Sequence, residues 1–375
     1  MDFSYSEEQQ MLQDSIAKFV QNDYDFDTRM KLVKSETGYS EENWKLFAEL
    51  GWLMVPFSEA DGGLGGSATD LMVVMEEFGK GIVIEPFLAT AVMGGGLVAA
   101  AGSDEQKAEL IGGIMEGGLQ MAFAYAEPQS RYNLADVATT ARKDGDNYVL
   151  SGHKAVVLNG GAADVIVVSA RTSGDQSDEE GISLFLVDAK SDGVRIKSYR
   201  TQDGGRAAEV HLENVSVPAA KLLGEEGKAL PVMNQVINRA ILSICAEAVG
   251  AMEMSYKKTV EYSKTRVQFG VPIAKFQALQ HRMADMFIEH QQAKSIVLMA
   301  AMKLDQGGAE ADKAVSAMKS RIGKAGRKIG QESVQIHGGI GVTEELDIGH
   351  YFKRLTMIEL LFGTGDFHTQ RFAAL

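Results

Sequence analysis

The feature that most constrains this fold is where the hydrophobic period changes along the chain. Residues 1 to about 118 carry helical spacing. Ser6 followed by Gln9 forms a capping box, and Leu12, Ile16, Phe19 and Val20 then share one apolar stripe. Further helices are predicted over about Glu41 to Leu50 and Thr69 to Phe78. From Met121 to about Val217 the apolar segments become short and rich in Val, Ile, Thr and Tyr. Val137–Lys143 and Tyr148–Ser151 flank Asp144-Gly145, a strong hairpin signal. More strands are predicted at Val165–Ser169, Ser183–Val187, Val194–Tyr199 and Glu209–Leu212, with Thr172 to Gly181 a polar, acidic loop. After Leu223-Gly224 helical spacing returns, and Leu279, Met283, Met286, Phe287 and His290 read as core filler. Helices, then strands, then helices argue against a doubly wound sheet. The expectation is an α+β chain with a helical domain over 1–118, a β-domain over 119–223 and a helical bundle over 224–375.

Charge and cysteine content remove several functions. Lys and Arg number 37 against 51 Asp and Glu, a net charge of −14. Such a chain lacks the clustered basic surface of a nucleic-acid or anionic-membrane binder. An anionic ligand must therefore be held by a few local cations and by backbone N–H groups. A single cysteine, Cys245, excludes an internal disulfide and a multi-cysteine metal site. The seven histidines are scattered, so no metal site is expected. The N-terminus is acidic where a signal peptide would be basic. The most apolar run, Ala91 to Ala101, is broken by Gly94, Gly95 and Gly96 and is too short to span a membrane. A cytoplasmic protein is expected, or a mitochondrial-matrix one in a eukaryote.

Forty glycines invite a nucleotide-binding reading. Gly62-Gly63-Leu64-Gly65-Gly66-Ser67-Ala68 contains G-x-G-x-x-A before a helix, but no strand leads into it, so it reads as a tight structural turn. A second stretch, from Gln335 to Gly341, ends a helix. Two adjacent glycines, Gly338 and Gly339, would let a backbone approach a phosphate. A plain double-glycine helix cap accounts for them equally well.

Taken in order, several motifs resemble those of the acyl-CoA dehydrogenase family over essentially the whole chain. Val55-Pro56 to Gly66 is similar to that family's early Val-Pro…Gly-Gly-x-Gly turn, and Glu127-Pro128 to the pair that opens its β-domain. Tyr262 to Ile273, YSKTRVQFGVPI, resembles the Arg-x-x-Phe-Gly-x-Pro-Ile signature, with QIHGGIGVT as its companion from Gln335. The resemblance implies a helical domain, a β-domain and a C-terminal four-helix bundle, with FAD lying across a subunit interface. Arg266, Phe269, Gln335, Gly338 and Gly339 would then reach the adenine and pyrophosphate of the neighbouring subunit's flavin, and Thr364 would join the cofactor contacts. Arg239 matches an arginine that meets acyl-CoA; on residue type alone it is equally an ordinary surface arginine. The implied reaction is α,β-dehydrogenation of an acyl-CoA, in fatty-acid or steroid side-chain degradation, with electrons passed to an electron-transfer flavoprotein.

The catalytic positions depart from the family. The glutamate that usually precedes Gly-Thr in the last loop is Phe362, and the alternative position, before the pocket arginine, is Asn238. Neither can act as a general base. Asp366 is the nearest carboxylate in that loop, and it reads also as a solvated loop acid. The family's Trp-x-Thr pair facing the flavin appears as Val156 and Leu158, and the hydroxyl residue before Glu-Pro as Ala126. The loop after Glu-Pro reads Gln129-Ser130-Arg131-Tyr132. Loss of one half of a site with retention of the other, and the ending YFKRLTMIELLFG with His368, resemble the small subunits of heteromeric family members. Three readings stay open: a catalytic subunit beside a paralogous partner that carries the glutamate, a self-sufficient homo-oligomer using Asp366 or another acid, and a non-catalytic scaffold completing the partner's FAD site.

Overall fold

The computed structural model describes residues 5–375. In chain order the helices α1 (Glu7–Asn22), α2 (Phe26–Lys34), α3 (Glu41–Glu49), α4 (Ala68–Gly81), α5 (Gly95–Ala101) and α6 (Asp104–Met115) come first. Strands β1 (Met121–Ala124), β2 (Thr140–Asp144), β3 (Asn147–Leu158), β4 (Val165–Arg171), β5 (Ile182–Asp188), β6 (Val194–Arg200), β7 (Arg206–Pro218) and β8 (Leu222–Leu223) follow. The long helix α7 (Leu230–Thr265) leads to a small hairpin, β9 (Val267–Gln268) and β10 (Val271–Pro272). Then come α8 (Gln277–Gln306), α9 (Ala309–His337), α10 (Asp347–Leu360) and α11 (Gly365–Ala374). The α+β class and the helix–strand–helix order are as the sequence predicts.

The chain divides into two compact units, each assembled from separated segments. One, the helical unit, takes residues up to Lys31, Ser67–Val83 and Ile241–Leu375. Ser6 and Gln9 form the predicted capping box at α1, and Ser67 with Asp70 forms another at α4. Asp305, near the end of α8, adds a carboxylate to the free amides of α4, accepting from Ala68 N at 2.6 Å and Thr69 N at 3.3 Å. Helix α4 is buried from Leu71 through Gly79. It crosses α7 with almost no side chain between: a Cβ on Gly79 would lie 2.0 Å from the Glu247 carbonyl oxygen, and one on Gly250 1.9 Å from that of Glu76. Around this crossing Arg354 grips the Glu247 carboxylate with two bonds of 2.5 and 2.6 Å, and Lys294 meets Glu76 at 2.7 Å. On α8, Met286 and His290 are buried, but Phe287 is 49% exposed. The predicted core stripe is thus split between two faces of one helix.

The other unit comprises Leu32–Gly66 and Ile84–Ala240 and holds the sheet, ordered β6-β7-β3-β2-β4-β5-β8 with β1 added to β4. Its pairs are antiparallel except β1–β4 and a single β2–β4 bridge. Leu150, Ile166, Val168, Phe185, Val187, Val210 and Val215 fill one face. The Asp144-Gly145 hairpin forms as predicted, with Asp144 paired to Asn147. Strand β2 begins only at Thr140, because the amides of Ala138 and Thr139 are taken by the Glu127 carboxylate at 2.8 and 3.0 Å. Arg171 is the main anchor of the acidic Thr172–Gly181 loop, beside smaller ties from Thr172, Gln176 and Asp178. Arg171 donates through Nη1 to the carbonyls of Asp178 and Glu180 and through Nη2 to those of Ala135 and Gln176, at 2.7–3.0 Å. The Gly62–Gly66 stretch is the structural turn expected of it, since a Cβ on Gly66 would lie 1.6 Å from the Val55 carbonyl oxygen.

Candidate active site

Within the helical unit the two C-terminal signatures converge. Tyr262, one turn before Arg266, stacks on His337 with ring centres 4.3 Å apart, and its hydroxyl reaches the His337 carbonyl at 3.4 Å. Burial holds the His337 imidazole below its usual pKa, while Nδ1 bonds the Ser333 carbonyl at 2.8 Å. Arg266 opens the β9–β10 hairpin, its carbonyl accepting from Ile273 N at 2.8 Å. Its side chain is exposed and has no ion pair among the described residues. Phe269 sits at the hairpin tip at φ +54°, 91% exposed. Gln335 is exposed near the end of α9, and around Gly338 and Gly339 a Cβ would meet nothing within 4 Å. A guanidinium fork beside an open stretch of backbone suits a pyrophosphate. The orphan this leaves, a nearly naked phenyl ring, is what a surface completed by another subunit would present.

The last loop of the helical unit is clamped from behind. Phe362 adopts φ +58° and is buried, 7% exposed. Its carbonyl accepts from His368 Nε2 at 2.9 Å, and buried Lys319 donates to the carbonyls of Gly363 (2.6 Å) and Glu359 (3.0 Å). Burial lowers the pKa of both Lys319 and His368, the latter to about 4, so the imidazole is neutral. Thr364 caps α11, its Oγ1 accepting from Phe367 N at 3.3 Å. Asp366 lies exposed in the first turn of α11. Sequence reasoning missed the Lys319 and Glu359 contacts, since neither residue belongs to a motif and α9 brings Lys319 from more than forty residues away.

In the sheet unit Asn238 is buried on α7, and Arg239 next to it donates to the Gly66 carbonyl at 3.4 Å, tying the early glycine turn to the predicted acyl-CoA arginine. Glu127 and Lys154 form a buried ion pair at 2.6 Å, with Ser169 Oγ a further 3.0 Å partner of the ammonium. Burial would raise the Glu127 pKa, but the ammonium and the hydrogen bonds to Gln129 and Thr139 hold it well below the carboxylate range. Burial brings the Lys154 ammonium down to about 8, with Glu127 opposing that shift. Val156 sits on the β3 bulge at φ +52° and is 45% exposed. A β-branched residue in the left-handed region is a genuine strain, of the kind that concentrates at functional surfaces.

The profile described as the acyl-CoA dehydrogenase N-terminal domain matches residues 6–118, the middle-domain profile residues 122–215 and the C-terminal-domain profile residues 227–374. The chain belongs to the acyl-CoA dehydrogenase family. A probable acyl-CoA dehydrogenase of Bacillus subtilis, YngJ, is 30% identical over 98% of this chain and 97% of its own length. Butyryl-CoA dehydrogenase from Megasphaera elsdenii has a solved structure similar at TM-score 0.89 and 27% identity, covering 100% of this chain and 99% of that one. A chain of the ChsE4–ChsE5 complex from Mycobacterium tuberculosis is similar at TM-score 0.90 and 26% identity, over 100% and 98%. Acyl-CoA dehydrogenases are flavoprotein oxidoreductases that act on a CH–CH bond, with FAD as the cofactor. The residues here fit the phosphate end of FAD, through Arg266 and the uncluttered Gly338-Gly339 backbone. At the positions that the resemblance assigns to the flavin ring, Ala126, Val156 and Leu158 bring no side-chain hydrogen-bonding group.

Proposed function

We propose that this chain is one subunit of an FAD-dependent acyl-CoA dehydrogenase whose catalytic carboxylate is carried by a paralogous partner. The loop that should bear a base carries a buried phenyl ring instead, and that observation supports the reading most directly. When bound, FAD supplies the acceptor for a hydride from the β-carbon of the thioester. Arg266 and the amides around Gly338 and Gly339 hold a pyrophosphate, Phe269 covers the hairpin edge, and Gln335 and Thr364 complete the polar contacts. Arg239 meets the acyl-CoA. The α-proton is left to a carboxylate outside this chain, and the electrons leave to an electron-transfer flavoprotein. The neutral His368 and the buried Lys319 amine hold the Phe362 loop by its main-chain carbonyls.

A second reading is supported by the flavin-facing strand. With Val156 and Leu158 in place of a stacking and a hydrogen-bonding residue, the chain would act as a scaffold that completes its partner's FAD site and binds none itself. Flavin stoichiometry separates the two. Expressed alone, the chain should be colourless and inactive, and it should become yellow and active with the paralogue. Two flavins per pair of subunits then support the catalytic reading, and one per pair supports the scaffold. A yellow, active chain purified alone would overturn both.

A further inference from the structure

Away from the residues assigned to FAD and acyl-CoA, the sheet unit contains a cavity of about 650 Å³. That is the size range of small-molecule sites. Tyr39, Trp44 and Lys45 of the α3 region, Gln120 before β1, Asp164 before β4 and Arg206 at the start of β7 contribute to its walls. Arg206 is set in place before any ligand arrives. Its Nη2 donates to the Ser35 carbonyl at 2.5 Å, and its side chain lies where a Cβ on Gly38 would be, 2.5 Å from Cγ. Yet among the described residues this half-buried guanidinium has no carboxylate within ion-pair distance, and its Nε is buried without an acceptor. Trp44, 2% exposed, likewise has an indole N–H with no partner. Gln120 Oε1 is occupied by Thr90 Oγ1 and Asn159 Nδ2 at 2.9 and 3.1 Å, which fixes its Nε2 as a donor on the Tyr39 side. Buried donors without acceptors are uncommon in native proteins and mark a place for water or a ligand.

The walls therefore offer unpaired cations and donors, but they also carry Glu36, Glu41 and Asp164. A polyanion would be repelled by those three carboxylates, and a simple cation by Arg206 and Lys45. We propose that this cavity is a binding site for a small zwitterion, an α-amino acid with its carboxylate on Arg206 and Lys45 and its ammonium toward Glu41 and Asp164. The site goes beyond the dehydrogenase reading and does not depend on it.

L-Phenylalanine is a suitable probe, with 3-phenylpropionate lacking the ammonium and phenethylamine lacking the carboxylate. Calorimetric titration of the full chain, in whichever assembly purifies, should detect L-phenylalanine, with both analogues at least tenfold weaker. Lys45→Gln and Arg206→Gln should each weaken it tenfold or more. Because Arg206 also holds the Ser35 carbonyl, the exposed Lys45 keeps the test valid if the Arg206 variant misfolds. Absence of heat at 10 mM probe, equal affinity for 3-phenylpropionate, or unchanged affinity in Lys45→Gln would overturn the proposal.

Discussion

At the scale of single residues, the distinction is between side chains that hold the fold and those left free for a ligand. Arg266 is proposed for the second group, since among the described residues only its backbone is engaged. Arg266→Ala should leave thermal stability unchanged and weaken flavin retention by about 1.5–3 kcal/mol, roughly ten- to a hundredfold in dissociation constant. Absorbance of the purified assembly near the flavin maximum checks it, and the deficit should fall on the partner's cofactor. Asp366, exposed on a helix turn, should matter little: Asp366→Asn should change turnover by less than about threefold, where a true base would be worth 10²-fold or more. His290 and His368 make an opposite case. Burial lowers both to about 4, so the folded state refuses protons that the unfolded chain accepts from about pH 6.5 downward. Stability should thus be full above pH 6.5 and fall toward pH 4, by up to about 1.4 kcal/mol per pH unit for each histidine. Denaturant titrations across that range should show His290→Leu flattening the slope; an unaltered slope would count against the assignment. Arg266, Gln335 and the glycines were legible as candidates because the motif is local in sequence, and their cofactor role rests with the proposal above. Lys319, Glu127 and Lys154 were not, because their roles come from partners that only the tertiary fold supplies.

At the scale of elements, periodicity and capping carried most of the reading. Both Ser6 and Ser67 start helices as a serine followed by a polar residue at the third position should. Two deviations have clear physical causes. The β2 strand lost its first residues to a buried carboxylate that competes for their amides, which no strand propensity reports. The methionine-rich stripe of α8 was read as core because a helical wheel records apolarity and not what lies opposite it; Phe287 and Ile288 turn outward. The α4–α7 crossing yields a sharper expectation. Replacing a mid-helix glycine by alanine ordinarily stabilises by about 1 kcal/mol. At Gly250 the new methyl would overlap the Glu76 carbonyl, so Gly250→Ala should instead destabilise by roughly 3 kcal/mol or more. A melting temperature equal to or above that of the parent would show that the helices can separate without penalty.

At the scale of the whole molecule, Val267, Phe269, Phe276, Phe287, Ile288, Ile340 and Val342 all stand exposed on the helical unit. That much apolar surface is expected to be covered in an assembly, as the proposed sharing of a flavin site between subunits requires. Light scattering should therefore give a dimer or a dimer of dimers. Co-purification should bring down a paralogue with a glutamate where this chain has Phe362 or Asn238. A stable monomer that pulls down no paralogue would remove the physical basis for subunit sharing and leave the family membership standing alone. No helix among the described residues is long and apolar enough to cross a membrane.

Arg171 carries a consequence for how this sequence can drift. It holds the acidic loop by main-chain carbonyls alone, and carbonyls are the one feature every amino acid shares. Selection acting on the loop's shape is thus concentrated on a single codon outside most of the loop. Gln176 Nε2 donates to Asp136 at 2.7 Å and Asp178 accepts from Asp175 N at 2.9 Å, so side-chain exchange is freest at Ser177 and Glu179, while Arg171 itself stays intolerant to change.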